Sequence, residues 1–84
     1  MTNERSHPKV RVEGTRLFLQ GELVRNYVPD FSKQISRVDV SALSVVDLSG
    51  VIRIDSSGLG LLEALRDGAF GVPLELQGAN EHVQ

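Results

Sequence analysis

The 84-residue chain has nine basic and eleven acidic side chains and a net charge of −2, which excludes the clustered basic surface that a nucleic-acid binder needs. Hydrophobic residues make up 40% of it but aromatic residues only 5%, so the length supports one domain around a modest aliphatic core. Cysteine is absent, which removes disulfides and thiolate metal sites.

Met1 to His7 are polar and expected to be frayed. The opening "MTNERSHPKV" lacks the apolar segment of a signal peptide, and no run approaches the roughly 18 apolar residues of a membrane span. A cytoplasmic protein is expected, with any membrane association made through a partner and not by direct insertion. Lys9 to Glu13, "KVRVE", alternates with period two and predicts a strand. Gly14-Thr15 is a turn signal, and Arg16 to Gln20, "RLFLQ", predicts a second, more buried strand, the two forming a hairpin.

After "GEL", the residues Val24, Val28, Phe31 and Ile35 fall on one narrow arc of a helix. Asn26 is the expected N-cap, leaving Pro29 in the first turn, where its missing N–H costs little. Val45 to Leu48 predicts a short central strand. A helix is expected from about Ser57 to Asp67, with Leu61, Leu62, Leu65 and Ala69 on its apolar arc and Gly60, Glu63 and Asp67 opposite. Gly68 fits its C-terminal stop, and Pro73 to Gln77 predicts the last strand before a short tail, residues 79–84 being loose. The order β-β-α-β-α-β predicts an α/β domain with a mixed four-stranded sheet whose helix-linked strands are parallel.

One corner concentrates polar chemistry. In "RIDSSGLGLLEAL", Asp55, Ser56 and Ser57 stand where an apolar strand pattern meets a leucine-rich helix. "DLSG" at Asp47 to Gly50 nearly repeats as "DSSG" at Asp55 to Gly58; the first copy is expected to end a strand and the second to open a helix. A helix start presents unpaired N–H groups with partial positive charge. Capping by Asp55 or Ser56 accounts for part of this composition. A second reading leaves one hydroxyl exposed for phosphorylation or partner contact, where a phosphate would add charge without breaking the helix.

Enzyme readings have little to stand on. His7 and His82, the sole candidate imidazole bases, lie in the polar ends, and neither G-x-S-x-G nor S-x-x-K occurs. No nucleotide-binding glycine fingerprint is present, and two isolated histidines do not make a metal site. No catalytic residue, cofactor or metal is therefore expected. Asp39, Asp47 and Asp55 are evenly spaced and each is expected at an element boundary.

"VVDLSGVIRIDSSGLGLL" closely resembles the signature of STAS domains, the family of sulphate transporter and anti-sigma factor antagonist domains, and "LFLQGEL" resembles its upstream strand and loop. The likeness runs from about Val10 to Asn80. It implies a non-enzymatic regulatory module spanning residues 1–84, with a sheet packed on helices. Two branches bear on function. In anti-sigma factor antagonists the hydroxyl before the glycine, here Ser57, is phosphorylated by a partner kinase. In the small STAS subunit of Mla-type phospholipid ABC transporters, which docks on the ATPase subunit, the first hydroxyl after the aspartate, here Ser56, is the sensitive one. "DLSGVIRID", the leucine-rich helix and "LQGAN" look more like the transporter subunit, and Val24 stands where antagonists often carry an aspartate after "GEL". "DSSGLG" suits both branches and slightly favours the antagonists.

The expected function is thus binding to the transporter ATPase, peripheral to the inner membrane. The alternative is an antagonist switched by phosphorylation of Ser57 or Ser56. The expected docking surface comprises Asp55, Ser56, Ser57, Gly58, Leu59, Gly60, Glu63 and Asp67. Both branches usually continue past the last strand into another helix, whereas this chain stops at Gln84, which is expected to leave a flank of the sheet uncovered and to favour a partner or a homodimer.

Overall fold

The order of elements is β1 (Lys9–Glu13), β2 (Arg16–Leu23), α1 (Val28–Ser36), β3 (Val45–Ile54), α2 (Ser56–Asp67) and β4 (Glu75–Gln77). The computed structural model describes residues 7–78. The loose ends expected at 1–7 and 79–84 lie, except for His7, outside the described residues. The sheet order is β1-β2-β3-β4. β1 and β2 pair antiparallel across a tight turn in which Gly14 takes a positive φ of 60°. β2–β3 and β3–β4 are parallel, each joined through one helix. Both crossovers step the same way across the sheet, so right-handed connections put both helices on one face. There α1 and α2 touch each other as well as the strands.

That face holds the core. Alternate residues of β2, namely Leu17, Leu19 and Leu23, are fully buried beside Val46, Leu48 and Val51 of β3. α1 contributes Phe31 and Ile35, and α2 contributes Leu61, Leu62 and Leu65. Val40, Leu43 and Leu74 close the ends. The core is aliphatic except for Phe31, as the composition requires.

The opposite face is polar. Register places Arg11, Phe18, Asp47 and Gln77 in one row across all four strands. The Arg11 guanidinium lies 4.5 Å from the centre of the Phe18 ring and 2.9 Å from Glu13. Arg16 donates to Asp47 at 3.0 Å and to Gln77 at 3.1 Å. The one aromatic ring of that row is thus roofed by a cation, which lessens the need for an apolar cover.

Several boundaries differ from those expected. β2 runs past Gln20 to Leu23, because parallel pairing with β3 continues to Leu23↔Ile54. α1 begins one residue later than an Asn26 cap requires. Its N-cap is Tyr27, which makes no side-chain cap bond; the Tyr27 and Val28 N–H groups instead donate to the Val24 carbonyl. Val24 is buried but precedes the helix, in the turn that leads into it. β3 is one strand of ten residues, so Asp47 to Gly50 lies inside it and does not end it. Two register shifts, between Phe18 and Gln20 and between Gly21 and Glu22, let β3 absorb its extra residues as bulges. α2 begins at Ser56, and Ala69 is exposed beyond its end. Gly68 does stop the helix, with φ 88°. β4 starts at Glu75, two residues after Pro73, which has no N–H for a ladder. Leu74 is nonetheless buried, its N–H on the Leu65 carbonyl.

Leu48 lies fully buried in β3, in one core cluster with Phe31 and Ile35 of α1 and Leu61, Leu62 and Leu65 of α2. Leu48→Ala should lower unfolding free energy by about 2–5 kcal/mol, read as a lower urea midpoint at unchanged m-value.

Candidate functional site

Two of the three evenly spaced aspartates share one local device. Asp39 accepts from the Ser41 N–H at 3.1 Å, and Asp47 from the Ser49 N–H at 2.9 Å. Each is an Asx turn, in which a short carboxylate satisfies the N–H two residues on. Asp55 accepts instead from the Gly58 N–H, three residues on. Asp39 opens a 3-10 turn at Val40–Ala42 and Asp55 opens α2, whereas Asp47 sits within β3 at the first irregularity. The expectation of a boundary therefore fails for Asp47: continuous pairing with β2 carries the strand past it.

Asp55 does most at the corner. As N-cap of α2 its Oδ1 accepts from the Gly58 N–H at 3.0 Å. Its Oδ2 accepts from the Arg25 N–H at 2.9 Å, across 30 residues of sequence. Its own N–H donates to the Leu23 carbonyl at 3.3 Å. One side chain and one amide thus tie the β2–α1 turn to the start of α2. The Arg25 N–H, then the Gly58 N–H, hold the Asp55 carboxyl below its usual range. The Ser57 N–H and the Arg53 charge add to this, and desolvation opposes it. Neither serine is the cap. Ser56 is exposed at the first helical position and Ser57 is half-buried.

Gly58 is buried, and a Cβ there would overlap the Leu23 carbonyl oxygen and come within 2.9 Å of Ile54 Cγ1. Its expected place on the docking surface gives way to a packing role: the helix approaches β2 backbone to backbone, and no side chain fits between. Gly60, two residues on, is exposed with open space where its Cβ would be. Leu59 is 43% exposed on a helix whose Leu61, Leu62 and Leu65 are at most 6% exposed. Glu63 and Asp67 are exposed on the same helix. The expected set therefore divides into Asp55 and Gly58, which build the corner, Ser57, which is half-buried, and Ser56, Leu59, Gly60, Glu63 and Asp67, which are presented to solvent.

Sequence reasoning missed Arg25, whose contribution is a backbone N–H and leaves no side-chain signature. It also missed Ile52, 45% exposed on β3 at the second register shift. Strict alternation of "VIRI" hinted at Ile52 pointing away from Val51, but the bulge beside it is a pairing property. Among the described residues no three His, Asp or Glu side chains gather as metal donors, and no helix is long and apolar enough to cross a membrane.

Fold and corner together define a small α/β domain that offers a rigid, capped helix start and an exposed apolar-acidic helix face. The family described as "Mlab, STAS domain" matches residues 6–84, nearly the whole chain. The protein belongs to that family: it is a STAS domain of the MlaB-like kind. Comparison with curated proteins returns no match.

Two glycines two residues apart should respond oppositely to the same change. Gly58→Ala should destabilise by about 3 kcal/mol or prevent folding, because backbone must move to admit the methyl. Gly60→Ala should stabilise by about 0.5–1 kcal/mol, since the helix gains propensity and nothing is displaced. Thermal midpoints of the two variants check this.

Acid should weaken the corner in a defined direction. The folded carboxyl of Asp55 is depressed, so its stabilisation is present above the unfolded value, roughly pH 4, and lost as pH falls through the folded value. Asp55→Asn should be less stable than the wild type at pH 7, and the gap should narrow below about pH 4 in denaturation curves taken across pH.

Proposed function

We propose that this STAS domain is a non-enzymatic docking subunit that binds the ATPase subunit of a phospholipid ABC transporter of the Mla type. It would reach the membrane only through that partner. The observation that carries the reading is Leu59, a leucine left outside on a helix that buries its other leucines. On the same helix the hydroxyl of Ser56, the bare backbone of Gly60 and the carboxylate of Glu63 are exposed, and Asp67, two turns on, pairs with Arg66 at 3.5 Å. An apolar knob beside a glycine, rimmed by acids, fits a partner surface with an apolar pocket and a basic border. The family match, whose description carries the Mlab name, supports the choice of transporter over sigma-factor regulation.

The mechanism is mechanical. Asp55 and the close approach at Gly58 fix the start of α2 against β2, so the strip Ser56–Leu59–Gly60–Glu63 is presented without a cost of ordering on contact. Ser56, exposed and not needed as a cap, is free to bond the partner.

Co-purification with the candidate ATPase tests the reading. Leu59→Asp and Glu63→Lys should each weaken binding at nearly unchanged thermal midpoint, Leu59→Asp by tenfold or more if it is an anchor worth roughly 1.4 kcal/mol or more. Gly60→Ala should weaken binding while raising the midpoint. Ser56→Ala should impair assembly or ATPase activity, and Ser57→Ala should be mild. A phosphate found on Ser57 by intact mass, after incubation with ATP and a partner kinase, would overturn this reading in favour of an anti-sigma factor antagonist. Normal binding by both serine variants would leave the corner as a helix cap alone.

A further inference from the structure

β1 is an edge strand, and its outer side is not left open. The Val10 N–H donates to the side-chain oxygen of Gln34 at 3.2 Å, and the Gln34 amide nitrogen donates to the Pro8 carbonyl at 3.1 Å. A side chain of α1 therefore offers β1 one acceptor and one donor, as a neighbouring strand would. In a strand the outward-facing groups belong to alternate residues, so Val10 and Val12 share this edge while Lys9, Arg11 and Glu13 face β2. Gln34 reaches only as far as Val10. Val12, further along, is 41% exposed.

We propose that Gln34 is an edge guard, and that the occupant it keeps off β1 is a second copy of this chain. "KVRVE" is self-complementary when laid antiparallel on itself about Arg11. Val10 and Val12 then exchange N–H···O bonds with Val12 and Val10 of the second copy, giving two closely spaced pairs. Lys9 falls opposite Glu13 of the second copy, twice over, which favours this register. Arg11 faces its own mate, which weakens the pairing, although each Arg11 is already engaged by Glu13 and the Phe18 ring. The pairing needs the Val10 N–H that Gln34 occupies, so guard and dimer compete for one hydrogen.

Sedimentation of the full chain across a range of concentrations tests this. Wild type should remain monomeric where Gln34→Ala forms dimers, with at least a tenfold difference in apparent Kd. The Val10 amide of Gln34→Ala should exchange roughly fivefold faster at concentrations too low for pairing, as loss of one hydrogen bond implies. Adding Val12→Pro should return Gln34→Ala to monomer, because it removes an outward N–H and leaves the ladder to β2 intact. If Gln34→Ala fails to fold, Gln34→Glu carries the test: it keeps an acceptor for Val10 but sets a carboxylate against the Pro8 carbonyl, and should associate more than wild type. A folded Gln34→Ala that sediments as wild type overturns the proposal. So does a dimer that survives Val12→Pro, or a Gln34→Glu no more associated than wild type where it carries the test.

Discussion

The structure turns on the contact between Gly58 and the Leu23 carbonyl. Where α2 meets β2 no side chain separates the two backbones, and the helix can begin there only because residue 58 has no Cβ. That closeness brings the Arg25 and Gly58 N–H groups within reach of one carboxylate. Two orphan donors, one from a turn and one from a helix start, are satisfied by Asp55, and the corner becomes rigid without any buried charge. Leu61, Leu62 and Leu65 then seat on the sheet, and the other side of α2 is left in solvent.

The docking strip follows from this placement. An amphipathic helix of twelve residues on a one-sided sheet must show one face to solvent, and that face is usually charged throughout. Here it carries a leucine and a glycine. Small and apolar residues on an outward helix face give a partner close approach and a buried anchor, whereas the flanking acids set which partner charge is welcome. The polar sheet face is a different surface. Its row of Arg11, Phe18, Asp47 and Gln77 is internally paired, with Arg16 bridging Asp47 and Gln77. It offers hydrogen-bonding groups already spent on one another.

Much of this was legible in the chain. "KVRVE" and "RLFLQ" around Gly14 read as a hairpin because side-chain alternation is a local property, and the hairpin is present. Gly68 read as a helix stop because only glycine takes that backbone conformation cheaply, and it does so. Leu61, Leu62 and Leu65 read as core by helical spacing. The D-S-S-G-L signature pointed to the family, and with it to the corner as the place to look.

What the order of residues decided by itself was the type and sequence of elements, the aliphatic core and the family, since each depends on spacing along the chain. Tertiary structure decided the rest. "DLSG" has the composition of a strand end, yet β3 continues through it because β2 supplies pairing partners on its flank. Asn26 has the better capping side chain, yet the turn at Val24 satisfies the donors of α1 and moves its start. Gly58 and Gly60 have the same side chain, and only the carbonyl of a strand 35 residues earlier makes the first indispensable and leaves the second open. Hydrogen bonds and steric contacts between distant segments depend on where the chain returns in space, and no local pattern encodes that distance.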